Sequence, residues 1–373
     1  MIPQAEKVLS LVNEIEAAKS IDLEQRALDI EDLAPASRNF IRQPYLDEAG
    51  LTRKQPPVWP EDAEFAVCLS HDLDLVARYH PAQAMRKSGL AFHSFFRHRQ
   101  KKFLGQTLDG LREFLVTGWK KDPVQKLERW AELEARHNVR STFFIPPERS
   151  ERRHWTDCLY HYDDRVLYKG RPSSVRAILR DLAKGEWEIG LHPSWWSFRD
   201  AALMTHQRDQ VADAVGAEIE SVRQHFLHFD PARTPAVHAA AGLRYDSTLG
   251  FNNEIGFRQG TSYPWRLPAG VLEIPLHVQD VAMFNPKKGL RLDVDTAIEE
   301  TLAIARRVQA VRGVLTLSWH PDMVANPVVF SMYGTILEEL RRWPAWFGTM
   351  REIGHYWESK VEPMSTDEQG DSR

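Results

Sequence analysis

Short apolar segments of strand-like composition alternate with longer segments of helical periodicity along most of this chain. Such an alternation predicts βα units, in which parallel strands form one sheet and helices cover its faces. We therefore predict an α/β fold. The predicted strands are 65–70, 139–145, 187–191, 221–226, 271–276 and 314–319, and the predicted helices are 123–137, 172–184, 200–216, 295–311 and 333–349.

The chain divides into three regions by pattern. Apolar residues repeat at helical spacing before residue 52, and a proline-rich segment, QPPVWP at 55–60, then interrupts the helical pattern. We predict a helical extension and linker over 1–60, the α/β domain over 61–355 and a flexible tail over 356–373. Residues 75–122 form a long insertion within the first βα unit.

Composition excludes several classes of protein. Of the 373 residues, 43% are hydrophobic and the formal net charge is −4, which indicates a globular protein and argues against a nucleic-acid binder. Two cysteines cannot form a disulfide framework. The first residues do not resemble a secretory signal and no segment is apolar over the ~20 residues of a membrane span, so we expect a cytoplasmic location.

Polar side chains recur at one parity at the end of the first predicted strand. Because successive side chains of a strand alternate between its faces, Ser70, Asp72 and Asp74 point one way and His71 points the other. Buried parallel strands are normally apolar on both faces. Two carboxylates on one face therefore require a functional explanation.

Three further strands deliver polar side chains to the same end of the sheet. His192 follows the strand 187–191, Arg223 and His225 share a parity, and His320 shares the inner parity of the last strand. Active sites of α/β barrels lie at the C-terminal ends of the strands. We therefore expect these side chains to converge on one site.

Carboxylate oxygens and imidazole nitrogens are the ligands that Zn²⁺ or a similar divalent cation prefers, with positions left open for water and substrate. A carboxylate that is not a ligand can take a proton from water. A further histidine can donate the proton that a leaving amine or alcohol requires. These residue types thus indicate metal-assisted hydrolysis.

Six short segments stand out between residues 63 and 325. They are FAVCLSHDLD, STFFIPP, EIGLHPSWWS, RQHF, AGLRYDSTLGF and LSWHP. The two aspartates of the first segment are separated by one residue. In the order and spacing of these segments, the sequence resembles the polysaccharide deacetylase family, the NodB-like carbohydrate esterases.

The resemblance implies a distorted (β/α)₇ barrel that removes acetyl groups from an amino sugar or glycan precursor with the help of a divalent metal. By position within the matching segments, Asp72 resembles the general base, and Asp74 and His192 resemble metal ligands. Arg223 resembles the residue that orients the base, and His320 resembles the general acid.

The sequence departs from the family pattern at one position of the metal motif. The second histidine, expected four residues after His192, is Trp196 here. His225 is the first candidate for the missing ligand and water the second, with His277 a weaker substitute. Weak or absent metal binding is the remaining possibility.

Two other functions are compatible with this pattern. One is hydrolysis of a C–N bond in a non-sugar amide or ureide, as in allantoinase-like relatives, and the other is a glycan-binding pseudoenzyme. Tryptophans near the expected site suit sugar stacking, although core packing explains most of them equally well. They are Trp195, Trp196, Trp265 and Trp319.

The segment 95–103 interleaves aromatic and basic residues. This composition is compatible with peripheral contact to an anionic membrane or glycolipid, and also with a helix that exposes a basic face.

Overall fold

The structure is a computed structural model that describes residues 41–53, 55–77, 122, 124–148, 154, 157–158 and 160–361. The predicted helices before residue 41, the segment 95–103, most of the 75–122 insertion and the tail beyond 361 lie outside the described residues. No helix among the described residues is long and apolar enough to span a membrane.

Twelve strands are present in this part of the chain. They are Phe65–Asp72 (β1), Thr142–Ile145 (β2), Arg165–Tyr168 (β3), Arg171–Ser174 (β4), Glu188–Leu191 (β5), Ser221–Val222 (β6), Tyr245–Asp246 (β7), Trp265–Arg266 (β8), Leu272–Glu273 (β9), Val278–Gln279 (β10), Val314–Ser318 (β11) and Ala345–Phe347 (β12).

Nine α-helices are present in the same described residues. They are Tyr45–Glu48 (α1), Glu128–Arg136 (α2), Val175–Lys184 (α3), Ala201–Val215 (α4), Thr234–Ala240 (α5), Asp280–Phe284 (α6), Val294–Val311 (α7), Pro327–Leu340 (α8) and Met350–Tyr356 (α9).

Ten strands form one sheet in the order β10-β11-β1-β2-β5-β6-β7-β9-β8, with β12 paired to β1. All pairs in this sheet are parallel except β8 with β9, and β3 and β4 form a separate antiparallel hairpin. The α/β fold with a parallel sheet, predicted from the strand–helix alternation, is confirmed.

The sheet is strongly curled. Arg223 follows β6, three strands from β1, a separation of about 14 Å on a flat sheet. Its Nη1 atom nevertheless donates hydrogen bonds to Ser70 of β1 at 2.8 Å and to Ser318 of β11 at 3.1 Å. Because an arginine side chain cannot span a flat sheet over that distance, the strands must wrap into a half-barrel. The predicted distorted barrel is therefore confirmed, although its edge strands do not pair with each other among the described residues.

The strand β1 lies at the centre of the hydrophobic core. All its residues are buried, with Phe65, Val67 and Leu69 in the main hydrophobic cluster between sheet and helices. His71 lies on the same outer face, where its ring packs on Trp130 of α2 and Phe143 of β2. The strand therefore buries both faces, and its polar inner residues are enclosed by the curled sheet.

The end of the half-barrel opposite to the predicted site is closed by α9. Thr349 and Glu352 form a capping box that starts this helix. Glu188 accepts a hydrogen bond from the backbone N–H of Arg351 at 2.9 Å and from Ser221 at 2.5 Å, which ties the helix to β5 and β6. This end is therefore fixed, and the loops at the other end are left to form the site.

Three sequence predictions of local structure are clearly wrong in extent. The last predicted helix, 333–349, instead begins at Pro327, because Asn326 caps it, and ends at Leu340, before the chain forms β12 ahead of α9. The predicted strands 221–226 and 271–276 are regular only over Ser221–Val222 and Leu272–Glu273.

The proline-rich segment predicted as a linker is packed against the domain. Trp59 is buried and stacks on Trp346 and Tyr356, and its Nε1 atom donates to the carbonyl of Arg312 at 2.7 Å.

Candidate active site

The polar residues predicted from strand parity converge at the C-terminal ends of the parallel strands. Asp72 ends β1, and Asp74 lies two residues further along the chain. The loops after β5, β6 and β11 supply four side chains that face these aspartates. They are His192, Arg223, His225 and His320.

Arg223 is the centre of this arrangement and is fully buried. Its Nη1 atom donates to Asp72 Oδ1 at 2.9 Å, and its Nε and Nη2 atoms donate to the carbonyl and the hydroxyl of Ser247 at 3.0 and 2.9 Å. The guanidinium lies 4.5 Å from the ring centre of Phe144. A guanidinium with so many donors engaged has one defined orientation, so it holds the Asp72 carboxylate in place.

The charges around Asp72 keep it ionised. Burial alone would raise the pKa of this carboxyl group, but the Arg223 guanidinium and, to a smaller extent, the His192 and His320 imidazoles outweigh burial and lower the pKa below its ordinary value. Asp72 is therefore a carboxylate at neutral pH and can accept a proton.

Asp74 lies among three imidazole rings at distances longer than a hydrogen bond. Its carboxylate oxygens are 3.4 Å from Nε2 of His192, 3.7 Å from Nε2 of His225 and 3.8 Å from Nε2 of His320. The Oδ1 atom of Asp74 is buried without a hydrogen-bond partner among the described residues. This carboxylate is thus available to a further positive group.

The group formed by Asp74, His192 and His225 could hold a metal ion. One ligand atom from each residue lies within 4.8 Å of the others. Ligands 2.0–2.1 Å from a tetrahedral zinc ion are themselves about 3.3 Å apart, close to the 3.4 Å between Asp74 and His192. The mixture of one carboxylate and two imidazoles also suits a divalent cation.

The tautomer of His192 suits the binding of such an ion. The Nδ1–H of His192 donates to the carbonyl of Arg223 at 2.7 Å, which leaves the Nε2 lone pair directed at Asp74. Burial lowers the pKa of His192, in keeping with a neutral ring. For His225, burial is outweighed by the Asp74 and Asp157 carboxylates, which raise its pKa to about 9 when no metal is bound.

His320 is tied to a residue that the sequence analysis did not single out. Its Nδ1–H donates to Asp280 Oδ1 at 2.7 Å, and its backbone N–H donates to Asp280 Oδ2 at 2.8 Å. Burial would lower the pKa of His320, but Asp280 and the two site aspartates raise it well above the ordinary value. At neutral pH this ring is a cation and can donate a proton.

The four tryptophans predicted to stack on sugars lie in different environments. Trp195 is half-buried and its ring stacks on His154, with ring centres 4.5 Å apart, and the half-buried Trp196 contacts the same histidine edge-on, with ring centres 5.9 Å apart. Trp265, in β8, packs against a small hydrophobic cluster formed by Phe229, Leu249 and Leu267. The prediction is wrong for Trp319, which is fully buried beside Tyr333 because it occupies the outer face of β11.

Comparisons with known proteins identify the fold. No family model and no curated protein sequence matches this chain. Among solved structures, it is similar to a protein of Mycobacterium smegmatis classed as a polysaccharide deacetylase, with 18% identity, a TM-score of 0.55, and coverage of 82% of this chain and 93% of that one. This chain has the polysaccharide deacetylase fold.

A second similarity is to the Puue allantoinase, with 13% identity and a TM-score of 0.50. The match covers 91% of this chain and 99% of that one.

Trp196 occupies the position of the second histidine in the family pattern and lies outside the group of Asp74, His192 and His225. Residues Trp195–Arg199 form a 3₁₀ turn, and the metal group contains no ligand from this turn. His225 comes from the next strand end and lies next to His192, with a ring-centre separation of 5.0 Å. His277 lies elsewhere, because its Nδ1 atom accepts the backbone N–H of Thr316 inside the half-barrel.

Two further aspartates face histidines of the site, and the sequence analysis did not identify either of them. Asp280 follows the two-residue strand β10, which is too short to show an alternating pattern. Asp157 lies in a loop with no readable motif and faces Nδ1 of His225 at 3.9 Å. The only available signal was that Asp280 follows a short apolar segment, as Asp72 does.

Proposed function

We propose that this protein is a metal-dependent hydrolase that removes acetyl groups from an amino sugar or glycan. The observation that carries the proposal is the group of one carboxylate and two imidazoles, Asp74, His192 and His225, with a proton acceptor and a proton donor on either side of it. Asp72 and His320 are those two groups, and their pKa values are displaced in opposite directions.

Asp74, His192 and His225 would hold the cation, with Zn²⁺ as the first choice for this ligand set. When bound, such an ion supplies the positive charge that polarises an acetyl carbonyl and makes a nearby water molecule more acidic. Support for this assignment comes from the unpartnered Asp74 oxygen and from the Nε2 atom that His192 presents.

Asp72 would act as the general base. Its carboxylate takes one proton from the attacking water as the water oxygen bonds to the acetyl carbon. Arg223 holds the carboxylate at 2.9 Å and keeps it ionised, so the acceptor is positioned before the substrate binds.

His320 would act as the general acid. As the carbon–nitrogen bond breaks, the imidazolium gives its Nε2 proton to the departing nitrogen, and the products are acetate and a free amine. The 2.7 Å hydrogen bond to Asp280 keeps the opposite ring nitrogen protonated, so Nε2 is the atom that loses the proton.

The proposal is tested with acetate release from oligomers of N-acetylglucosamine by the full chain. Protein treated with a chelator should be inactive and should regain activity with Zn²⁺ or Co²⁺. Asp72→Asn should lose at least ~10²-fold in kcat and still bind the metal. Asp163→Asn is the control, because the Asp163 side chain is 82% exposed, and this variant should retain full activity. Full activity of Asp72→Asn would exclude the assignment.

A second candidate is hydrolysis of a carbon–nitrogen bond in a ureide, supported by the similarity in fold to an allantoinase. Turnover of allantoin without metal, together with inactivity on acetylated sugars, would select it. Sugar binding that is unaffected by the chelator, without any turnover, would instead indicate a glycan-binding pseudoenzyme.

A further inference from the structure

The imidazole of His225 lies between two carboxylates. Its Nε2 atom is 3.7 Å from Asp74 Oδ2 in the metal group, and its Nδ1 atom is 3.9 Å from Asp157 Oδ1 on the opposite side. Asp157 is only 8% exposed. Burial of a carboxylate is costly unless a cation or hydrogen-bond donors compensate it.

Asp157 is held rigidly by backbone donors. Its Oδ2 atom accepts the N–H of His154 at 2.7 Å, and its Oδ1 atom accepts the N–H of Trp195 at 2.9 Å. The second of these donors belongs to the turn in which the deacetylase pattern would place its second metal histidine. The same Oδ1 atom of Asp157 therefore contacts that turn and faces His225, the candidate for the missing ligand.

The backbone after His225 is also constrained. Phe226 and Leu227 have φ values of 57° and 53°, a left-handed conformation that costs a non-glycine residue of the order of 1 kcal/mol. The carbonyl of Phe226 is fixed by Asn252 at 2.9 Å. Strain of this kind persists only where the surrounding structure holds the backbone, and both residues directly follow His225 in the chain.

We infer that Asp157 is the positioning residue that makes His225 the third metal ligand in place of the histidine replaced by Trp196. Histidines that bind a metal almost always donate their other ring N–H to a carboxylate, a carbonyl or water. The Nδ1–Oδ1 separation of 3.9 Å is about 1 Å longer than a hydrogen bond, so the inference expects the ring to move toward Asp157 when the metal binds. The inference rests on the proposed metal site.

The experiment measures metal affinity rather than activity. Full-length protein is stripped of metal and titrated with Co²⁺ to millimolar concentration, with visible absorbance as the readout, for four forms: wild type, Asp157→Asn, His225→Ala and the double variant. Asparagine is nearly isosteric with aspartate and retains one acceptor oxygen. Unfolding of each apo protein is followed separately, and Asp163→Asn serves as the control.

Asp157→Asn should weaken Co²⁺ binding about 10–100-fold in the wild-type background, as expected for an outer-shell partner of a ligand histidine. In the His225→Ala background the same substitution should have little effect, because the residue acts through His225. Unchanged affinity of Asp157→Asn, or an equal loss in both backgrounds, would overturn the inference.

The same titrations separate this inference from the proposed function. Wild-type protein that binds no Co²⁺, or binding that survives Asp74→Ala and His192→Ala, would reject the metal site itself. Binding that requires those two residues but is indifferent to Asp157 would reject only the role of Asp157.

Discussion

Asp280 holds both the ring and the backbone of His320. One carboxylate oxygen lies 2.7 Å from the Nδ1 atom of the ring and the other lies 2.8 Å from the backbone nitrogen. The carboxylate is fully buried, so its charge acts on the imidazole without screening by solvent. The pair therefore fixes the orientation of the ring and its proton together.

Replacement of Asp280 should impair proton donation by His320. Asp280→Asn is expected to lower kcat for acetate release by on the order of 10²-fold with little change in KM, because general acid catalysis contributes about that factor. Steady-state kinetics measure both constants. The double variant Asp280→Asn, His320→Gln should be no slower than His320→Gln alone, whereas a further loss would show that Asp280 acts independently.

Gly190 sets the packing beneath the Arg223 guanidinium. A Cβ atom at this position would lie 2.7 Å from the Phe144 ring, which supports the guanidinium. Gly190→Ala should therefore reduce the free energy of unfolding by about 1–3 kcal/mol, as measured in urea. Gly334→Ala in α8 is the control: its Cβ atom would meet Leu133 no closer than 3.7 Å, and a stability gain of roughly 0.5–1 kcal/mol is expected.

The Glu134 carboxylate gathers buried side chains on the outer face of the sheet. It lies 2.7 Å from Nε2 of His71 and accepts hydrogen bonds from Ser141 at 2.8 Å, Trp187 at 2.6 Å and Tyr333 at 2.8 Å. Glu134→Gln should lower the free energy of unfolding by about 1–3 kcal/mol, because the amide group has only one oxygen and leaves a buried donor without an acceptor. Glu132→Gln, on the exposed face of the same helix, should change it by less than ~0.5 kcal/mol.

His277 should make the fold sensitive to acid. Burial lowers its pKa from 6.5 to about 3, so the unfolded chain binds a proton at this residue before the folded chain does. Stability is therefore lost as the pH falls from 6.5 toward 3, by up to ~1.4 kcal/mol per pH unit. Urea unfolding of wild type and His277→Gln at several pH values measures this slope, which the variant should reduce. The exposed His206→Gln should leave it unchanged.

The alternation of strands and helices was sufficient to predict the α/β fold. Strands of a parallel sheet that is buried on both sides are short apolar segments, and the helices between them have a helical repeat of apolar residues, so both can be recognised in the sequence. Parity along β1 placed Asp72 on the inner face and His71 on the outer face, and the structure has both there. These predictions succeed because alternation is a property of one strand and requires no knowledge of its partners.

Asp157, Asp280 and Ser247 could not be found in this way. Each lies in a loop or after a strand of two residues, and each acquires its role from a residue far along the chain. Likewise, sequence left the substitute for the missing histidine open between His225, His277 and water. Only the curl of the sheet places His225 beside Asp74 and directs His277 into the interior.

The sequence by itself determined which side chains stand at the strand ends and which face of each strand they occupy, because backbone geometry fixes that alternation locally. The tertiary structure decided which of them meet, because distances between strand ends depend on how far the sheet curls and on which buried charges find partners across it.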